Sequence, residues 1–301
     1  MKTSKVLLAL TLVIIGSMVA LLWFFPPNGD FRVENPFWNG LSTVDSKAKL
    51  TVIDTFDNLP SNPKGTALLL VPYERFTDLE LTQLNSYVSS GGTLVVLDDY
   101  GSGNQVLSSV GLNIRFTGEQ MLDPLFDYRN KFIPKITDFT ATPIAANVSS
   151  IVFNHATCLN DTSGTTVAAY SSSFSFLDVN GDGSWDNNEP TGPFPVIAYA
   201  KVDQGVVVAV SDPSLLINGM VGLDDNLQFV NNVAGVQSAN PKIFVDQSHL
   251  PKTPLDDAKA DIAVVSGMVS SPVGTLSLIA VILVLSLNSI WRKSGGFGEK
   301  R

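Results

Sequence analysis

Cysteine is almost absent from this chain and histidine nearly so: among 301 residues there is one of the former, Cys158, and two of the latter, His155 and His249. A single thiol cannot close an internal disulfide, so stability has to come from an apolar core, a metal or a partner. His155 and Cys158 form an H-x-x-C pair, but two ligands fall short of the three or four that zinc requires, and Cys158 reads as a solvated loop thiol. Positive charge is the second shortage. Nineteen Lys and Arg stand against twenty-eight Asp and Glu, a formal charge of −9 at pH 7. Six of those basic residues (Lys2, Lys5, Arg292, Lys293, Lys300 and Arg301) sit at the two ends. The middle of the chain is therefore strongly acidic and repels phosphate, which argues against a nucleic-acid partner.

Charge of either sign is missing altogether from Val6 to Phe25 and from Ile262 to Trp291. As a helix the first run spans about 30 Å, the hydrocarbon thickness of a bilayer. The second contains TLSLIAVILVLSLNSIW and is followed at once by Arg292 and Lys293. Two transmembrane helices are expected, 6–25 and 268–291. Basic residues flank them outside and acidic ones (Asp30, Glu34, Asp256, Asp257, Asp261) flank them inside. Because Lys and Arg are retained in the cytoplasm, residues 1–5 and the tail 292–301 should be cytoplasmic and the central region extracytoplasmic. The alternative for the first run is a cleaved signal peptide, but the run exceeds an h-region of ~7–15 residues and FFPPNGD lacks a small-x-small cleavage site. A connector is expected over 26–37, a folded domain over 38–250 and a linker over 251–267.

Within that domain the periodicity alternates. LTVIDTF, ALLLVPYE and GTLVVLDDYGSG read as short buried strands, and FTDLELTQLNSYVSSGG as a helix capped by Thr77 or Asp78 and stopped by Gly91-Gly92. Strand-helix-strand order implies parallel strands with right-handed crossovers, an α/β three-layer sandwich. From about Ser149 the pattern turns into short strands separated by turns, a β-rich extension of the mainly parallel sheet. DDNLQFVNNVAG then restores a helix, with Asp224 or Asp225 at its cap, and KIFVDQSHL gives a last strand.

The run LLLVPYERFTDLELTQLNSYVSSGGTLVVLDDYGSGN, taken with GPFPVIAYA, VVVAVSDPSLLINGMVGLDDNLQFVNNV and FVDQSH, resembles the class I glutamine amidotransferase-like fold. Within it, the chain looks like the membrane-anchored, mostly archaeal proteins that carry such a domain. That resemblance implies a flavodoxin-like domain on the outer face of the membrane, in a class with relatives among auxiliary subunits of transport systems. True amidotransferases place a cysteine in a sharp G-x-C-x-G elbow after the central strand. Here the corresponding turn reads Asp98-Asp99-Tyr100-Gly101-Ser102-Gly103 and holds no thiol.

The most specific local motif lies elsewhere. Asp178-Val-Asn180-Gly-Asp182-Gly-Ser184-Trp-Asp186-Asn-Asn-Glu189 matches the calcium-loop pattern D-x-[DN]-x-[DN]-G-x5-E at every specified position. Side-chain oxygens fall at loop positions one, three, five, nine and twelve, and Ser184 offers its carbonyl at seven. Pro190 forbids a helix immediately downstream, so the motif predicts not an EF-hand but a structural Ca²⁺ loop in a hairpin over 171–196. The competing reading is an Asx-rich turn with solvated carboxylates.

In open α/β sheets, ligands bind at the carboxyl ends of the strands. Those ends carry Glu74, Asp98, Asp99, Tyr100, Asp212, Asn218, Asp246 and His249, a set suited to a sugar, a peptide or a cation, or else to capping turns. Asn147 and Asn160 begin N-x-[ST] sequons compatible with glycosylation of an exported domain. The expectation is a membrane-tethered, non-catalytic binding or assembly module seated in the bilayer beside a membrane-protein partner. The alternative is a hydrolase of surface glycans or peptides using Asp98 or Asp99 with His249.

Overall fold

The structure, a computed structural model, describes residues 2–294; Met1 and residues 295–301, most of the expected cytoplasmic tail 292–301, lie outside the described residues. Contacts divide the chain into two compact units: residues up to Phe25 together with those from Lys252, and Pro26–Pro251. The first unit holds three helices, α1 (Lys2–Phe24), α6 (Pro254–Ser270) and α7 (Pro272–Ser294). The stretch Val6–Phe24 of α1 is long and apolar enough to cross a membrane. α6 and α7 meet that criterion only together, over Pro254–Ser270 with Pro272–Val284, and are bent by 75° at their junction. Pro272 cannot donate a backbone N–H to continue α6, which accounts for a break there. Of the two expected transmembrane helices, one is therefore a clear candidate. The segment 251–267, expected as a linker, is helical from Pro254 and opens on a capping box in which Thr253 and Asp256 exchange hydrogen bonds of 2.9 and 3.2 Å.

The second unit is mixed α/β. Its strands are β1 (Thr51–Ile53), β2 (Thr66–Leu70), β3 (Thr93–Leu97), β4 (Arg115–Phe116), β5 (Gln120–Leu122), β6 (Lys135–Ile136), β7 (Asp138–Phe139), β8 (Ile151–Val152), β9 (Leu159–Asn160), β10 (Thr166–Tyr170), β11 (Phe176–Asp178), β12 (Pro195–Val202), β13 (Gly205–Val210) and β14 (Lys242–Asp246). Its helices are α2 (Ser42–Ala48), α3 (Asp78–Ser89), α4 (Asn104–Ser109) and α5 (Asn226–Ala234). Eight strands form one mixed sheet in the order β1-β14-β2-β3-β13-β12-β10-β7. The first five are mutually parallel, and β12, β10 and β7 extend the sheet antiparallel. Small ladders of β4 with β9, β5 with β11 and β6 with β8 complete the β-rich part.

The centre of the sheet explains why β2 and β3 read as unbroken apolar runs. Every residue of both strands is buried, as expected when helices cover both faces of parallel strands. Alternate side chains serve two cores. Leu68, Leu70, Leu94 and Val96 pack with Leu84 and Val88 of α3 and Leu107 of α4, whereas Leu69, Val95, Leu97 and Val210 pack with Phe229, Val230 and Val233 of α5.

Local chemistry fixes the crossover between β2 and β3. Thr77 caps α3 in a reciprocal box with Glu80, the Thr77 N–H donating to Glu80 Oε2 at 2.7 Å and the Glu80 N–H to Thr77 Oγ1 at 3.3 Å. The helix ends where Gly91 takes φ +105°, and a Cβ on Gly92 would lie 2.3 Å from the Tyr87 ring. Asp225 occupies the N-cap position of α5 without capping it; its carboxylate accepts instead from the Ser149 and Ser150 N–H groups, at 2.7 and 3.2 Å. Residues 26–37, expected as a connector, belong to this unit, with Phe31, Val33 and Asn35 buried.

Leu94→Ala, at the centre of the sheet, is expected to lose about 2–5 kcal/mol. Thr77→Ala should cost about 1 kcal/mol. Both are read from denaturant melts of the purified protein.

Candidate functional site: a crevice at the strand ends

Because β2, β3 and β13 run parallel, their carboxyl ends open on one edge of the sheet. Above that edge lies a crevice of about 200 Å³ lined by Asp30, Phe31, Trp38, Asn39, Tyr73, Asp99, Tyr100, Asn154, His155, Ser214 and Ile217. A neighbouring hollow of about 420 Å³, lined by Glu74, Arg75, Gly101, Ser102 and Gln105, shares Tyr73 and Tyr100 with it. The two shared rings lie 6.4 Å apart. Trp38 and Tyr100 are 68% and 71% exposed, a large apolar area left open beside carboxylates.

One wall of the crevice comes from the segment before β1, which sequence periodicity does not mark. Buried Asn35 ties it into a loop, donating to the Gly29 carbonyl at 2.7 Å and to Asn39 Oδ1 at 3.0 Å, while its own Oδ1 accepts from the Phe37 N–H. Asn218 then clamps that loop to the sheet. Its Oδ1 accepts from the Thr43 N–H at 2.7 Å, and its Nδ2 donates to the Phe37 carbonyl at 2.6 Å and the Asn35 carbonyl at 3.1 Å. Asn218, expected among ligand-binding residues, is thereby committed to structure.

The remaining expected crevice residues divide into three groups. Asp98 and Asp212 are buried and hold turns: Asp98 accepts from the Tyr100 and Gly103 N–H groups at 2.9 and 2.6 Å, Asp212 from the Asn154 and Ser214 N–H groups at 2.7 Å each. Glu74, Asp99 and Tyr100 face the two hollows. Asp246 and His249 form a separate buried cluster. His249 Nδ1 lies 2.7 Å from Asp246 Oδ2 and its Nε2 3.6 Å from Glu80 Oε1, with the ring stacked 3.9 Å from that of Phe76. The side-chain partners of the His249 imidazole are thus Ser248, Asp246, Glu80, Phe56 and Phe76, with Asp98, Asp99 and Ser102 not among them.

Burial dominates the electrostatics. It pushes the Asp99 carboxyl up to about 7, with the neighbouring Asp98 charge adding to the effect. Asp212 is pushed up to about 8 by burial, against the Asn154 and Ser214 N–H bonds that favour its ionised form. Asp99 raises the Tyr100 phenol, and burial followed by Asp99 raises that of Tyr73. At His249 burial lowers basicity, but Asp246 and then Glu80 outweigh it and the net shift is upward.

Cys158 is buried, not a solvated loop thiol: it packs in the core 3.6 Å from Thr117 Oγ1, and burial lifts its thiol to about 11. His155 stays exposed, stacked on Phe132 and bonded to Gln120, so the two do not form a pair. Asn147 and Asn160 are both exposed.

The calcium-type motif lies between β11 and β12. Phe176 bridges to Thr191, and the Gly192 N–H donates to the Ser175 carbonyl at 2.8 Å, closing the base of the loop like a hairpin. Inside it, Asp178 Oδ2 accepts from the Gly183 N–H at 2.9 Å and Asn180 Oδ1 from the Asp182 N–H at 2.9 Å, and Glu189 Oε1 accepts from the Val179 N–H at 2.9 Å. The Asn180 amide nitrogen bridges the carboxylates of Asp182 and Asp186 at 3.3 and 3.0 Å. Among the described residues no three His, Cys, Asp or Glu side chains already converge as a metal-holding group.

Fold and site together define a mixed α/β protein with an aromatic-rimmed acidic crevice at its parallel strand ends. Residues 35–234 match the family described as Domain of unknown function (DUF4350), and the chain belongs to that family. No curated protein matches the chain. Solved structures similar to it include the mmIFT52 N-terminal domain (16% identity, TM-score 0.49, covering 65% of this chain and 87% of that one). Another is a cytoplasmic protein from Salmonella typhimurium LT2 (15%, 0.39, 62% and 76%). A third is a putative ThuA-like protein from Bacteroides uniformis (12%, 0.37, 63% and 78%).

Asp99 yields a pH prediction. Its folded value lies above the ordinary carboxylate range, so the folded protein holds more protons than the unfolded chain between about pH 4 and 7. The associated stability is complete below about pH 4 and is lost as pH rises through 7. Asp99→Asn should therefore match the wild type near pH 4 and melt higher by a few degrees, about 2–4 °C, at pH 8. Thermal melts across that range check it.

Proposed function

We propose that the protein is a membrane-tethered, extracytoplasmic binding module, an auxiliary subunit of a membrane complex, whose strand-end crevice receives a cationic side chain of a partner protein. The observation that carries this reading is the open pairing of exposed rings with carboxylates: Trp38, Tyr73 and Tyr100 stand around Asp99 and Asp30. A Lys or Arg head group satisfies both, through cation–π attraction to the rings and charge pairing with the acids. Asp98 and Asp212 beneath the floor are already spent on turn N–H groups, which leaves Asp99 and Asp30 as the acids at the surface of the crevice. The resemblance to the amidotransferase-like fold supports a binding role too, since the turn after β3 carries Asp98 where that chemistry needs a thiol.

Tethering rests on the sequence. In this reading the apolar run 6–25 is an anchor, and the charge-free run ending at Trp291, with Arg292 and Lys293 behind it, is a second span on its sequence alone. Basic flanks at both ends place both termini in the cytoplasm and the domain outside.

Two measurements test the proposal. A reporter fused after Arg301 should be active only in the cytoplasm, and protease added to intact cells should cut the central domain; an external reporter would overturn the topology. For the crevice, a fluorescently labelled Lys-rich peptide followed by anisotropy should bind the detergent-solubilised protein, with affinity about 3–30-fold weaker for Tyr100→Ala or Trp38→Ala. Equal binding by both variants, or by the lysine-acetylated peptide, would overturn the ligand assignment.

A further inference from the structure

We infer that the loop Asp178–Glu189 is a calcium site, independent of the crevice, that locks the β11–β12 connection of this domain. The motif alone could be an Asx-rich turn, but one atom separates the two readings. Asp178, at loop position one, is only 7% exposed, and its Oδ1 is buried with no hydrogen-bond partner, while its Oδ2 accepts from the Gly183 N–H inside the loop. A buried carboxylate oxygen left without a donor is costly, and a cation supplies what it lacks.

The rest of the loop is built to the same end. Gly183, at position six, takes φ +76°, the turn that this position requires. Glu189, at position twelve, is 6% exposed and is held in place by the Val179 and Asp186 N–H groups at 2.9 and 3.2 Å, so its carboxylate is fixed at the mouth of the loop. Four carboxylates, from Asp178, Asp182, Asp186 and Glu189, share this short segment, and none is ion-paired among the described residues. The nearby Lys131 ammonium donates to the Gly183 carbonyl, which is not a ligand position of such loops. In its place the Asn180 amide nitrogen serves as the positive partner between Asp182 and Asp186. A bound cation takes over that role when these side chains rotate inward. All the donors are oxygens, the chemistry of a hard cation, and their number and flexibility favour Ca²⁺ over the rigid octahedral demand of Mg²⁺.

Trp185, at loop position eight and half exposed, provides a built-in probe. The full-length protein in detergent, stripped with chelator, is titrated with terbium, and tryptophan-sensitised emission is followed. Emission should appear and be displaced by calcium with a Kd of ~10⁻⁴–10⁻³ M, the range of extracellular modules, and not by equimolar magnesium. Calcium at about 10 mM should raise the melting temperature by about 3–10 °C. Glu189→Gln and the exposed-site Asp182→Asn should each weaken calcium at least tenfold while keeping the wild-type circular dichroism spectrum. No sensitised emission, no calcium-dependent shift, equal displacement by magnesium, or an undiminished response in both variants would overturn the assignment. Peptide binding at the crevice is a separate readout, so failure here leaves that reading intact.

Discussion

The structure depends on one constraint: the central strands β2, β3 and β13 are shut off from water, so no charged group can sit within them. Leu68 and Leu70 face one core while Leu69 faces the other, and Val95 and Val96 divide in the same way. Polar chemistry is pushed to where each strand stops. Asp98 and Asp212 follow the last residues of β3 and β13 directly or by one residue, and both find backbone N–H groups there. The crevice is the outcome of three parallel strands ending together.

The same constraint makes the edge acidic and electrostatically tense. Asp98, Asp99 and Asp212 crowd a region of low dielectric, where each charge raises the cost of the next. Backbone donors oppose the rise at Asp98 and Asp212 without cancelling it, and the carboxyls of Asp99 and Asp212 are raised to about 7 and about 8. The Tyr100 phenol is raised chiefly by Asp99, and that of Tyr73 by burial and then by Asp99. An acidic hollow rimmed by rings is a consequence of how the sheet ends.

Two asparagines and one histidine show where side chains leave the roles that their sequence neighbourhoods suggest. Asn35 and Asn218 look like loop residues, yet together they knit residues 29–43 onto the sheet and so place Trp38 and Asn39 over the crevice. His249 follows a strand end, as a catalytic base would, but it sits between Asp246, Glu80 and Phe76 and ties the end of β14 to the start of α3.

Much was legible in the chain itself. Unbroken apolar runs mark β2 and β3 as buried strands, and Thr77 and Gly91-Gly92 bracket α3, because periodicity, caps and turn residues act over a few residues. Less legible were the insertion of β14 between β1 and β2, the burial of Cys158, and the enlistment of residues 26–37 into the domain. These depend on contacts between segments far apart in sequence: Asn35 meets Asn218, and Tyr73 meets Tyr100 across two strand ends. The sequence by itself determined which stretches are apolar and where α3 starts and stops. Only the tertiary structure decided which carboxylates are consumed by backbone N–H groups and which face the crevice, since pairing of that kind is settled by distance in space.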